Sequence, residues 1–351
     1  MAQDVASSPE MLHVPEQHGR PSDPRHGRRE AQRHTYGAID LGTNNCRLLI
    51  ARAGEGGFTV IDAFSRVVRL GEGLSLSDRL SDAAMDRSVG ALAVCADKLR
   101  RRNVSIARSV ATEACRRAAN GAEFVERVRQ ETGIVLDIIE PQEEARLAVL
   151  GCHKLLEPGD GPALIFDIGG GSTELVLVDH MGGIPRIVSW WSAPWGVVSL
   201  TESEGRDALE GPDRLLAYKR MRERARHAFA RFADMLPTQR KGIRLLGTSG
   251  TVTTLASVHL ALPSYDRKAV DGLHVPVGAM QSISTMIAGM DYAQRSRLPC
   301  IGSERADLVV AGCAILEAII EIWPAENLGI ADRGIREGIL RSLMARDGWA
   351  L

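Results

Sequence analysis

The sequence predicts an α/β protein made of two mixed sheets flanked by helices, one in each half of the chain, with a cleft between the halves. Three observations carry this. The 351 residues suffice for two ordinary domains. A run of three strands followed by helices occurs twice, an internal repeat at domain scale. Each copy opens with the same short word, an apolar strand that ends in Asp and a turn of small residues. The first is Ala38-Ile39-Asp40-Leu41-Gly42-Thr43-Asn44-Asn45; the second is Ile165-Phe166-Asp167-Ile168-Gly169-Gly170-Gly171-Ser172-Thr173-Glu174.

In the first half, residues 35–158, the apolar and β-branched runs Tyr36–Leu41, Cys46–Ala53 and Phe58–Leu70 predict strands. Ser81-Asp82 caps a helix whose apolar positions Met85, Val89, Leu92, Cys95 and Leu99 keep a spacing of three to four. A strand over Ser105–Ala111 and helical turns around 113–119 follow. Asn120 is placed to cap a helix over Glu123–Thr132, Gly133 stops it, and Ile134–Ile139 is a strand. Pro141 suits the first position of a helix that runs to about Leu156.

The second half, residues 159–346, repeats the opening with strands at Ala163–Asp167, Thr173–Asp179 and Ile184–Trp190. Helices are expected at about 195–204 and 212–235, then a strand over Ile243–Leu246 and a helix from Ser249. Further helices fall at about 276–287, 303–322 and 334–346, with a short strand at Leu328–Ala331; the last helices are free to pack on the first domain. Residues 1–34 carry Pro, Ser, Gln, Arg and four of the nine histidines without apolar periodicity, and are expected to form a disordered tail rather than a secretory signal.

Composition narrows the function. Aromatics at 4% argue against a base-stacking nucleic-acid binder, while 44% hydrophobic content supports real cores. Lys+Arg 43 against Asp+Glu 44 leaves no global field to recruit nucleic acid or a membrane surface, so a polyanion must be held by a local site. No segment reaches transmembrane length. Six cysteines without a CxxC pairing point to reduced thiols in a cytoplasmic protein.

The two Asp-containing turns carry the chemistry. Successive amides in a glycine turn form an anion-binding nest. A carboxylate at its mouth repels phosphate unless a hard cation such as Mg²⁺ lies between them. Gly169-Gly170-Gly171 alone could be a plain hairpin, but Asp167 ends a buried strand, Ser172 and Thr173 add hydroxyls and Glu174 adds a second acid. A third turn, Gly247-Thr248-Ser249-Gly250-Thr251, links a strand to a helix; it is either an anion site at a helix N-terminus or ordinary capping. Pro141-Gln142-Glu143-Glu144-Ala145-Arg146 places acids in a first helical turn, where they serve the helix dipole or orient water. Arg116 and Arg117 are a phosphate-binding pair or a solvated one. The arginines at 214, 220, 222, 224, 226 and 231 form a solvated helix face or a guide for a polyanion. No P-loop, His-Glu-x-x-His or Gly-x-Ser-x-Gly pattern is present.

Taken in order, these motifs and the closing Gly334-Ile335-Arg336-Glu337-Gly338 resemble the exopolyphosphatase/guanosine pentaphosphate phosphatase family, over about residues 35–346. The resemblance implies two ribonuclease H-like (actin-like ATPase) domains and the short form of the family. It implies that Asp40 and Asp167 hold Mg²⁺, that Glu144 activates water and that Glu174 is a second essential acid. Phosphate would be bound by Gly42, Thr43, Asn44, Asn45, Arg116, Gly169, Gly170, Gly171, Ser172, Thr173, Gly247, Thr248, Ser249 and Gly250. The chain departs from the family at Thr43 and Asn45, where Ser is usual; Asn45 exchanges a hydroxyl for an amide.

The expectation is thus a Mg²⁺-dependent hydrolase that removes terminal phosphate from inorganic polyphosphate. The 5′-phosphate of guanosine pentaphosphate is the alternative substrate, and a non-catalytic nucleotide or polyphosphate sensor is the rival from another class. A sugar or acetate kinase fits the motif set less well. A homodimer is left open as a partner state.

Overall fold

The computed structural model describes residues 34–54, 56–157, 159, 161–179, 185–236 and 242–349. The tail expected over residues 1–34 lies outside them apart from His34, as does Ile184 at the start of an expected strand.

The protein is α/β, with two mixed sheets flanked by helices. The first sheet takes β1 (Thr35–Leu41), β2 (Asn45–Gly54), β3 (Gly57–Val67), β4 (Ile106–Ala111) and β5 (Leu136–Ile138) in the order β3-β2-β1-β4-β5. β1 is central and apolar because it is covered on both faces, whereas edge strand β3 is largely open. The second sheet takes β6 (Pro162–Ile168), β7 (Thr173–Asp179), β8 (Arg186–Ala193), β9 (Arg244–Thr248), β10 (His274–Pro276) and β11 (Asn327–Ala331) in the order β10-β11-β9-β6-β7-β8. Without β10 the two orders coincide. In each, a strand-turn-strand-turn-strand meander runs antiparallel and two further strands run parallel to the first.

The principal helices are α1 (Asp82–Arg101), α2 (Glu113–Arg117), α3 (Gly121–Thr132), α4 (Pro141–Cys152), α5 (Val197–Glu204), α6 (Arg214–Met235), α7 (Gly250–His259), α8 (Val277–Gly289), α9 (Val309–Ile322) and α10 (Ile335–Arg346). Ser81 caps α1 as its position predicts, its Oγ accepting the Ala84 amide at 3.3 Å. Asn120 differs from expectation. It stands before α3, which starts at Gly121, but its side chain accepts from the Leu80 amide and donates to the Leu80 carbonyl, tying two loops together. α4 ends at Cys152 and tightens into a 3₁₀ turn over His153–Leu155. No helix among the described residues is long and apolar enough to cross a membrane.

One connection locks the halves. After β11 the chain leaves the second sheet, crosses at 332–334 and packs α10 on the first, where Ile335, Ile339, Leu340, Leu343 and Met344 join Tyr36, Ala38, Leu49, Val110 and Leu147 in one core. α10 meets α4 backbone to backbone. A Cβ at Gly338 would stand 2.0 Å from the Leu147 carbonyl oxygen, and one at Gly151 would stand 2.0 Å from that of Gly334. Because α4 carries Glu144, this contact fixes where that acid is presented. Gly338→Ala must push the helices apart. Despite alanine's better helix propensity, it is expected to lower stability by about 2 kcal/mol in chemical denaturation.

Candidate active site

Both Asp-containing turns close in the same way. In the first, the Gly42 amide donates to the Asn45 carbonyl at 2.9 Å; in the second, the Gly169 amide donates to the Ser172 carbonyl at 3.0 Å. The carbonyls of the turns are held from behind. Asn44 and Thr43 accept from the amides of Val68, Arg69 and Gly71, while Gly169 and Gly170 accept from Val197 and Val198 in the first turn of α5. Among the described residues the amides of Asn44 and Gly170 have no intramolecular acceptor, and both residues line the cleft. These are donors suited to phosphate oxygens.

The two turns touch. A Cβ at Gly170 would lie 2.8 Å from Thr43 Cβ, and one at Gly171 would lie 2.9 Å from Thr43 Oγ1 and from Glu113 Cγ. The glycines are therefore required by the approach of the first turn as well as by the ligand. Thr43, only 4% exposed, is wedged between the turns rather than open to the cleft.

Pairing across the hairpins shows how the duplicated frame has been put to two uses. Asp40 sits opposite Arg47 on β2, and Asp167 sits opposite Glu174 on β7. The same register position thus offers a cation in one half and a second acid in the other. Asp40, Glu144, Asp167, Glu174 and Arg47 all line one cleft, with Asn44, Asn45, Gly169, Gly170, Ser249, Gly250 and Arg305. The cleft continues past Ser249 and Gly250 into a recess bordered by Arg47, Arg305, Arg333 and Arg336.

Crowding four carboxylates in a low-dielectric site raises their proton affinity. Burial, then Glu174 and Asp40, lifts Asp167 to about 8 against the pull of Arg47. Burial likewise raises Asp40, while Arg47 and Arg336 oppose it. Glu144 is pushed well up by burial and by Glu174, with Arg116 holding it down. Burial raises Glu174, and hydroxyl donation from Ser172 at 2.7 Å and Ser192 at 2.9 Å works the other way. Among the described residues neither Asp40 nor Asp167 has a side-chain hydrogen bond or ion pair, and no cluster of three or more His, Cys, Asp or Glu forms a ready metal cage. Two unpartnered carboxylates beside free amides suit a cation that completes its shell with water and phosphate oxygens, the habit of Mg²⁺.

Several expected site residues serve the scaffold. Arg116 lies behind the cleft wall. Its Nη atoms both reach Glu144 Oε2 at 3.3 Å, Nη2 donates to Glu113 at 2.8 Å and Nη1 donates to the Ile139 carbonyl, so its donors face protein. The arginine expected to clamp phosphate is thus placed against Glu144, whose carboxylate it holds. The Ser172 hydroxyl is committed to Glu174, and Thr173 Oγ1 donates to the Trp195 carbonyl at 2.7 Å. Gly42 serves the turn closure, and Gly247 packs against Phe166 and Val252. Thr248 borders the recess and donates to the Arg333 carbonyl at 2.8 Å. Ser249 adopts φ 134° and ψ 173°, a region reserved almost entirely for glycine, at the point where the turn enters α7. Its Oγ caps the Thr251 amide at 3.2 Å, so capping and exposure of the helix N-terminus to the cleft occur together. The α6 arginines line none of this; Arg220 and Arg224 pair with Glu204, Arg222 with Glu317 and Arg226 with Glu223.

Arg47 and Arg305 were not among the expected site residues. Arg47 was detectable, because it follows Asp40 at the offset by which Glu174 follows Asp167. Arg305, which donates to Thr254 Oγ1 at 2.9 Å, has no sequence signature and comes to the cleft through tertiary packing alone.

A model of the Ppx/GppA phosphatase family matches residues 49–347. Exopolyphosphatase 2 of Mycobacterium tuberculosis is 30% identical over 319 residues, covering 87% of this chain and 97% of its own. A guanosine-5'-triphosphate,3'-diphosphate pyrophosphatase of Aeromonas hydrophila is 28% identical and covers 89% of this chain but 60% of its own. Among solved structures, the Aquifex aeolicus Ppx/GppA family member superposes with a TM-score of 0.73 at 28% identity, over 90% of this chain and 99% of that one.

The raised Asp167 has a stability consequence. Its folded value of about 8 exceeds the ordinary 3.8, so the native state holds a proton that the unfolded chain has released. Stability of the metal-free protein therefore falls as pH rises between these values. Asp167→Asn is expected to raise Tm by several degrees at pH 8 and to change it little near pH 4, measured by thermal unfolding in chelator.

Proposed function

The chain belongs to the Ppx/GppA phosphatase family and is a phosphoanhydride hydrolase; we propose that it releases terminal phosphate from linear inorganic polyphosphate with Mg²⁺. The observation that carries this is Glu144, a carboxylate 6% exposed at the cleft, held by Arg116 and surrounded by three further acids. Pure binding has no need of a carboxylate whose proton affinity is raised toward that of a working base.

In this reading the amides of Asn44 and Gly170 and the N-terminus of α7 hold the phosphates, and Arg47 and Arg305 neutralise their charge. Asp40 and Asp167 would hold the cation, which when bound supplies charge neutralisation on the phosphate oxygens. Glu144 orients water and takes its proton, and Arg116 keeps the carboxylate in position for that transfer. Glu174, fixed by Ser172 and Ser192, keeps the local field negative and so sustains the basicity of Glu144. The arginine-bordered recess beyond Ser249 supports a substrate that is a chain of anionic units. A guanosine pentaphosphate reading draws support from a neighbouring recess with Leu76, Val198, Leu209 and Leu308 next to Asn44, apolar enough for a base. Six unlinked cysteines support a cytoplasmic setting.

Glu144→Gln should cut phosphate release from long-chain polyphosphate by about 10³-fold, and chelation of Mg²⁺ should abolish it. Unchanged turnover in the variant would remove the mechanism. Faster turnover of guanosine pentaphosphate in parallel assays would transfer the substrate assignment. Arg116→Met should lower kcat with little change in KM and move the acid limb of the kcat/KM profile to higher pH, because Arg116 opposes protonation of Glu144.

A further inference from the structure

Arg333 borders the cleft recess and also a second pocket, which contains none of the cleft acids. That pocket is walled by Phe58 and the β2–β3 hairpin from the first half, by Arg267 and Asp271 from the second, and by Arg333, Glu337 and Arg341 from the crossing segment and α10. Its acids are already matched. Asp271 accepts from Arg333 Nε at 2.7 Å, and Glu337 accepts from Arg267 at 2.8 Å and from the Gly334 amide at 2.9 Å. Arg267 also pairs with Asp332 at 2.9 Å.

Arg341 is the exception. It is 6% exposed, yet its Nε and Nη1 have no hydrogen-bond partner. Its guanidinium carbon lies 5.7 Å from the centroid of the Phe58 ring, a contact that orients the group without satisfying its donors. The charge of Glu337 reaches Arg341, but both its oxygens are committed to Arg267 and the Gly334 amide, so the buried guanidinium is left without an acceptor for Nε and Nη1. A forked guanidinium with free donors matches phosphate-type oxygens in shape as well as charge.

We propose that this pocket is a second oxyanion site, separate from the catalytic cleft, in which Arg341, flanked by Arg267 and Arg333, binds a phosphate-type anion. Its position gives the site a means of reporting to the cleft. The Arg333 carbonyl accepts from Thr248 in the glycine turn that enters α7, so an anion drawing on Arg333 acts on a loop of the cleft wall. The inference rests on unpaired donors and does not depend on the phosphatase mechanism.

Calorimetric titration of the metal-free protein with orthophosphate tests it. The wild-type chain should bind one more equivalent than Arg341→Met, and the variant's Tm in phosphate-free buffer should be no lower than wild type, since a buried guanidinium with unsatisfied donors is removed. Part of the phosphate-induced rise in Tm should disappear in the variant. Equal stoichiometry in the two proteins would overturn the proposal, as would a loss of Tm that is the same with and without phosphate. Arg341→Lys keeps the charge without the fork and should bind at least about ten-fold more weakly; equal affinity would also overturn it. A parallel titration with a nucleoside diphosphate distinguishes the source. Displacement of orthophosphate at the Arg341-dependent site marks a larger phosphorylated ligand, and failure to displace marks free phosphate.

Discussion

Mutual repulsion among Asp40, Glu144, Asp167 and Glu174 is the constraint around which the protein is organised. Four acids from four elements converge on one cleft; burial drives all four toward protonation, and the neighbouring acids add to it at Glu144 and Asp167. Nothing local favours that gathering. It is imposed by two sheets whose strand ends point at each other and by helix α4 pinned to α10 through glycines. In the function proposed above, a cation and a phosphate chain would together convert that repulsion into binding.

The duplicated fold explains how one scaffold supplies unlike parts. Both meanders present an Asp at the same register position and close the same four-residue turn. The partner across the hairpin then differs, Arg47 in one and Glu174 in the other. Backbone geometry is the shared element, and the division lies in the one side chain paired with the Asp, a cation in the first hairpin and an acid in the second. The glycines of the second turn reflect this division too, because they make room for Thr43 of the first.

Much of the architecture is legible in the sequence because strands β1, β2, β6 and β7 are apolar runs cut by glycine turns, signals of purely local origin. β10 escapes because three residues ending in Pro276 have no periodicity to detect. Within the site, Asp40, Asp167 and Glu174 stand out as acids in or beside small-residue turns, whereas Glu144 sits in a first helical turn that suits the helix dipole equally well and is singled out by the family resemblance. Arg116 illustrates the opposite case. A sequence shows that a guanidinium is near an acid motif but not which way its donors face, and here they face Glu113, Glu144 and a carbonyl. Arg305 is reached only through the packing of a distant segment, so no window of sequence could have placed it.

The crossing at residues 332–334 also bears on how the chain is made. β1, β2 and β4 emerge from the ribosome early, but the helix that covers one face of their sheet follows all the strands of the second sheet. Until α10 arrives, Tyr36, Ala38, Leu49 and Val110 lack their cover, and α4 lacks the surface that sets its Glu144. The first half must therefore wait, partly open, while the second is translated. Translation that stops short of residue 335 leaves an apolar sheet face exposed, so the seat of Glu144 and the fold of the first half are completed by the same helix.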